Sequence, residues 1–191
     1  MTPGAAGGAQ YTAYMYMEDD TLVPWRAMTA WARATPALDE RNLTFGFYRT
    51  EVSPDTGELV MLDLSIRVNT STAPTAHIEG VGHFVELPQP YFGMWLASHQ
   101  QLKAFMAHPF WEKKNALAAN APHGGGYPER TTWMIQYLNV PPGHLTQSVI
   151  QYDPVTNTLD PNARVAHLRN GYSANVHQPL GKLPLMLALD R

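Results

Sequence analysis

The chain of 191 residues has no cysteine. This excludes disulfides, thiolate-held metal clusters and a cysteine nucleophile. It fits a reducing compartment, and a cytoplasmic location is the expectation. Missing too is any apolar run long enough to cross a bilayer. The opening MTPGAAGGAQ carries neither a basic stretch nor an apolar one, so residues 1–10 read as a flexible arm and not as a signal peptide. Lysine and arginine never form a block, and the formal net charge is -3. A nucleic-acid or anionic-membrane partner is therefore not expected.

The surpluses point elsewhere. There are eight histidines, sixteen prolines, five tryptophans, nine tyrosines and six phenylalanines. Frequent proline implies many element ends, and frequent aromatics supply large side chains for a pocket or an interface. Along the chain, Tyr11 to Met17 alternates as a strand. Glu18-Asp19-Asp20-Thr21 reads as the capped, acidic start of a helix whose apolar stripe is Leu22, Trp25, Met28 and Ala32, ending near Thr35-Pro36. Leu43, Phe45 and Phe47 alternate in a second strand. Ser53-Pro54-Asp55-Thr56-Gly57 is a turn, and Val60 to Val68 alternates so regularly that a hairpin arm with one buried face is predicted. His77 to Leu87 reads as a further strand interrupted by Gly80 and Gly82.

The central stretch runs from Tyr91 to Asn115. An apolar strand (Tyr91 to Leu96) leads to Ser98 and Gln101, spaced as a capping box. The helix that follows ends or bends at His108-Pro109 and resumes through Trp111 to Ala119. Residues 120–126, rich in glycine, read as a lid-like loop. Thr131 to Leu138 and Thr146 to Tyr152 are two more predicted strands. Residues 155–191 show little alternation and read as an irregular extension of a domain spanning 11–154. The order strand, helix, strand, strand, helix, strand is the ferredoxin-like β-α-β-β-α-β plan of an α+β protein, with an antiparallel sheet and helices on one face.

His83, His99 and His108 lie close to aromatics, and each is also compatible with an ordinary hydrogen-bonded histidine. No zinc motif such as H-E-x-x-H occurs. Haem makes a smaller demand, one axial imidazole and an apolar slot. The acidic groups Glu18, Asp19, Asp20, Asp39 and Glu40 read as solvated charges beside helix ends. Met94, Met106, Met134 and Trp95 fit a core as readily as a ligand pocket.

The succession F-G-x-W-x-x-S and L-K-A-F-M-A-H-P-F-W between Phe92 and Trp111 resembles the haem-containing aldoxime dehydratases. Trp133 to Tyr137 and Ser148 to Pro154 resemble that family's closing strands, and the likeness spans about residues 11–159. It implies a ferredoxin-like dimeric α+β barrel around haem b that dehydrates an aldoxime to a nitrile. His108 would be the distal acid and Arg49 its polar assistant. Phe92, Trp95 and Met106 would line the cofactor. Where the family places its proximal histidine this chain has Pro88-Gln89-Pro90, so His83 is the substitute ligand. The partners implied are a small apolar molecule and a second copy of the chain. Two alternatives stand beside this reading: a cofactor-free enzyme or binder using the same pocket, and a non-catalytic assembly subunit.

Overall fold

The computed structural model describes residues 11–88, 93–120, 128–169, 171–177 and 179–190, with side chains at all of these but 120 and 128–132. The expected arm, Phe92 and the glycine-rich loop lie outside the described residues. The fold is α+β. The strands are β1 (Ala13–Met17), β2 (Thr21–Leu22), β3 (Thr44–Phe45), β4 (Tyr48–Val52), β5 (Leu59–Met61), β6 (Val68–Asn69) and β7 (Thr75–Ile78). After them come β8 (Gly82–Val85), β9 (Met94–Ser98), β10 (Ser148–Asp153), β11 (Thr158–Leu159), β12 (Arg164–His167), β13 (Leu183–Pro184) and β14 (Leu189–Asp190). The helices are α1 (Trp25–Asp39), α2 (His99–Ala107) and α3 (Lys113–Asn120).

Two five-stranded sheets form the body. One has the order β11-β10-β8-β7 with β3 also on β10; the other runs β13-β5-β4-β12-β2. One sheet curls as a half-barrel. The chain passes between the sheets at Gly46, where a Cβ would come within 2.3 Å of Ser148 Oγ. Only glycine allows that approach without displacing a neighbour. Two-stranded pairs β1-β9 and β14-β6 complete the pairing. Some neighbours are parallel (β4 with β12, β3 with β10) and others antiparallel. The described strands thus form several mixed sheets.

Residues 155–191 contribute more than an appendage. β12 lies between β4 and β2, and Val165 on it is fully buried. The short pieces β11 and β13 each add an edge to a five-stranded sheet. Strands of two residues are too short to leave a period, which is why this contribution is invisible in the sequence.

Other predicted elements shift for local reasons. The helix begins at Trp25 behind Pro24, which provides no side-chain cap, so Glu18 to Thr21 do not cap it. Its buried face is Ala27, Trp31, Ala34, Thr35 and Leu38, while Trp25 is 74% exposed. In an alanine-rich helix several stripes have similar periodicity; the one with small Ala27 and Ala34 lets the backbone approach the sheet. Pro36 lies inside the last turn, where it removes one backbone hydrogen bond without ending the helix. The arm predicted from Val60 to Val68 stops at Met61. Val60, Met61 and Leu62 are all buried, so both faces of this stretch are covered, and Ile66 is exposed. His77 to Leu87 is a hairpin, β7 against β8, turning at Gly80 with φ +72°. Thr131 to Leu138 is not a strand: Pro128–Tyr137 is a 3-10 helix, with Met134, Ile135 and Leu138 buried against α2, α3 and the turn at 109–111.

The central stretch keeps close to its reading. Ser98 Oγ accepts the Gln101 N–H (3.2 Å) and Gln101 Oε1 accepts the Ser98 N–H (2.9 Å), a complete capping box. α2 ends at His108, Pro109 opens a short 3-10 turn, and α3 follows. Two apolar clusters result. The larger joins α1 to the two five-stranded sheets around Phe45, Phe47, Phe84 and Ile150. The smaller gathers Trp95, Phe105, Ala116, Met134, Ile135 and Leu138. No helix among the described residues is long and apolar enough to cross a membrane.

Candidate functional site

The register of β12 on β4 places Val165 beside Arg49 and Ala166 beside Thr50. Alternation then puts Arg49, Glu51, Val165 and His167 on one face of the sheet and Thr50, Val52, Arg164 and Ala166 on the other. The first face carries a charged seam built from four distant parts of the chain. Arg49, 8% exposed, donates from Nη2 to Asp63 Oδ1 (3.0 Å) and from Nη1 to Glu18 Oε2 (3.3 Å). His167, also 8% exposed, sets Nδ1 against Glu51 Oε1 (2.6 Å) and Nε2 against Asp20 Oδ2 (3.0 Å). A neutral imidazole donates to one of these carboxylates and a protonated one to both. Both ring nitrogens are thus engaged by carboxylates.

A strap carrying Tyr172 and Ser173 lies against the seam. The Tyr172 ring stands 5.3 Å from the Arg49 guanidinium carbon and 5.4 Å from the His167 ring, bridging the two halves. Ser173 N–H donates to Glu51 Oε2 (2.7 Å), and Lys182 Nζ ties the strap to itself through the Ser173 carbonyl (2.5 Å). Gly181 has φ +72° and leaves its missing Cβ only 2.9 Å from the Ser173 nitrogen, so glycine is required there.

The two deepest carboxyls are driven apart. Burial alone would raise Glu51, but the Ser173 hydroxyl and N–H, the His167 ring and the Tyr172 N–H together hold it below its ordinary range. Burial pushes the Asp63 carboxyl up against the opposing pull of Arg49. Its Oδ2 is buried and accepts no hydrogen bond among the described residues. The two environments thus shift one carboxyl down and the other up.

The residues singled out in the sequence scatter around this seam. Arg49 belongs to it. His83 stacks on His77 across the β7-β8 hairpin at 4.3 Å, in the other five-stranded sheet. His108 is half-buried at the end of α2, where Nδ1 accepts the Phe110 N–H (3.2 Å). Trp95 is buried in the smaller cluster, and Met106 is 54% exposed. Phe92 is not described. The clefts beside Asp39, in the β2-β4-β12 region, over α1 and beside Val68 are lined by none of His83, Trp95, Met106 or His108. None of these five clefts brings the four together. Among the described residues no three His, Cys, Asp or Glu side chains group as metal ligands.

The acidic groups read as caps divide in two. Glu18 and Asp20 turn into the seam while Asp19 between them is exposed, the alternation of an extended segment. Asp39 ties α1 to α2 by accepting from Ser98 Oγ (3.2 Å) and Gln101 Nε2 (2.6 Å), and burial raises its carboxyl despite these bonds. Sequence reading missed Glu51, His167 and Tyr172. Asp63 left one trace, a carboxylate inside the apolar run 59–64. Compared with protein-family models, curated proteins and solved structures, the chain finds no match.

Proposed function

We propose that the chain is an acid–base enzyme working at the charged seam. The carrying observation is the seam's geometry, Glu51 and Asp20 on the His167 ring and Asp63 and Glu18 on Arg49 with Tyr172 between the two halves, in which the Glu51 carboxyl is lowered and the Asp63 carboxyl raised. Environments that separate two carboxyls in this way create distinct acid and base roles. In this reading Glu51 orients His167 through Nδ1, and Nε2 takes the substrate's proton once the partly exposed Asp20 carboxylate, which faces it at 3.0 Å, gives way. Asp63 is the proton donor, and Arg49 steadies charge that develops between them. The chemistry is proton transfer on a small polar molecule, of the isomerase or lyase kind. Burying this many charges is poor value for stability alone, since buried ion pairs often contribute less than apolar replacements. Access to Arg49 and Asp63 requires the strap carrying Tyr172 to move.

Proton exchange at carbon tests this without a defined substrate. The protein is incubated with a mixture of small carboxylic acids, ketones and sugars in heavy water, and loss of carbon-bound proton signals is followed by NMR. Wild type should exchange protons in at least one component. His167→Gln and Asp63→Asn should each lower that rate by about a hundredfold or more, the scale of a lost general acid or base. Exchange that persists unchanged in both variants, or none with any component, would sink the reading.

The haem-lyase reading is a second proposal, with a ferredoxin-like barrel completed by a second copy. Supporting it are the half-barrel sheet and the fixed tautomer of His108. With Nδ1 accepting the Phe110 N–H, a neutral ring carries its proton on Nε2, as an acid would. Haem reconstitution of the purified chain, read by its Soret band in wild type and His83→Ala, is the check. No band means no haem enzyme.

A further inference from the structure

A groove of about 230 Å³ opens on the same sheet, lined chiefly from the face opposite the seam and reached also by Glu51, Val165 and His167. Its walls are apolar: Leu22 from β2, Pro24, Val52 from β4, Leu59 from β5 and Ala166 from β12. Leu22 and Val52 are 51% and 46% exposed, unusual for aliphatic residues in strands of a five-stranded sheet. Thr50 is buried beneath them, its hydroxyl turned to the Val165 carbonyl (3.4 Å).

Two guanidinium groups add charge, from Arg26 on the first turn of α1 and Arg164 at the start of β12, and Thr50, Glu51, Val165 and His167 complete the lining. Among the described residues neither has a carboxylate within 4.0 Å. Arg26 spends its Nε on the Pro161 carbonyl (3.3 Å). Arg164 is half-buried and makes no side-chain hydrogen bond among those described. Asp160, close by in sequence, turns its carboxylate to the Asn162 N–H (2.8 Å). A half-buried arginine without a counter-charge is poorly placed for stability and well placed for a ligand, because its planar fork matches a carboxylate or phosphate.

We infer that this groove binds a small amphiphilic anion, a carboxylate bearing a short apolar tail, with its head on Arg164 and Arg26 and its tail along Leu22, Val52 and Leu59. Charge complementarity selects the head, and the exposed aliphatic wall selects the tail. Phosphate alone would satisfy the arginines but leave the wall wet; an alcohol of the same length would cover the wall but leave the charges unmet. Glu51 and His167 belong both to the groove's lining and to the seam, but their polar atoms are engaged with each other, Asp20 and Ser173, which leaves the two arginines as the groove's unmatched charges.

The experiment titrates the full chain with hexanoate, hexanol and inorganic phosphate, following the methyl signals of Leu22, Val52 and Leu59 by NMR. Hexanoate should saturate these signals and bind more tightly than either control. Arg164→Met, which removes the charge but keeps an apolar stem, should weaken hexanoate by about tenfold or more, the scale of one charge-assisted hydrogen bond. Arg26→Met, an exposed position on α1, should weaken it less and guards against a folding defect at 164. Equal binding of hexanoate by wild type and both variants overturns the site. Phosphate binding as tightly as hexanoate overturns the amphiphile. Shifts confined to methyls outside the groove overturn its location.

Discussion

The two apolar clusters of this protein are built from different materials. The larger lies between α1 and two sheets, and one of those sheets turns a charged face outward beneath a strap. The smaller is helical and aromatic. Trp95 stacks with Tyr16 at 6.0 Å and Phe105 meets Trp111 edge-on at 5.4 Å, whereas the buried residues Arg49, Glu51, Glu86 and His167 all lie in a strand or one residue beyond one. Ionisable groups are therefore concentrated where strands fix them in register. A strand gives each side chain one face and one neighbour across the ladder, so partners such as Glu51 on β4 and His167 on β12 are held at set distances. Short helices joined by turns lack that register and are held by ring packing.

The largest expected effect separates the clusters. Phe105→Ala and Leu38→Ala each empty a buried site and should cost about 2–5 kcal/mol by large-to-small truncation. If the clusters are distinct units, Phe105→Ala will lower amide-exchange protection mainly across 94–119 and 133–138, and Leu38→Ala mainly in the sheets. Equal loss everywhere would merge them into one cooperative core.

Next comes the seam. Glu51→Gln leaves His167 and Ser173 facing a neutral amide at a buried site, and breaking such a pair should cost about 3 kcal/mol. The pH dependence sharpens the assignment. Because the folded Glu51 carboxyl lies below its ordinary 4.5, its contribution is complete above that value and is lost as pH falls through the lower folded one. Asp63 runs the other way. Raised above 3.8, it favours the fold when protonated, and its contribution fades as pH climbs through the folded value. Urea unfolding from pH 3 to 7 should flatten at the acid end in Glu51→Gln and at higher pH in Asp63→Asn. Unchanged slopes would remove the opposed pair on which the enzyme proposal stands.

The smallest effect belongs to the helical side. Ser98→Ala removes half of a capping box and a tie to Asp39, and should lower stability by about 1 kcal/mol. Gln101→Ala should do about the same, and the double variant should fall short of the sum because the bonds are reciprocal. Full additivity would argue that the box forms no unit.

How far these parts are legible in the sequence differs with the kind of signal each leaves. The capping box at Ser98 and Gln101 and the Ser53 to Gly57 turn are visible, because both depend on residues three or four apart. The alternation of β1 is visible too, although it cannot say that Tyr14 and Tyr16 face inward while Met15 and Met17 face out. Of the seam, Arg49, Glu18 and Asp20 stand out in the sequence, each for a different role. Glu51 and His167 are 116 residues apart and meet only because β12 lies against β4. The alternation of Val60 to Val68 misleads because a period of two also describes an irregular segment buried on both sides.

Composition alone removed disulfide and thiolate chemistry, and local spacing alone started α2 and stopped it at His108-Pro109. Which face of α1 turns inward, which two-residue pieces become sheet edges, and which charges stand together were decided by the tertiary fold. The reason is range. Caps and turns are satisfied within a few residues, whereas strand pairing and the burial of a charge depend on partners that the chain brings near only when the whole sheet has assembled.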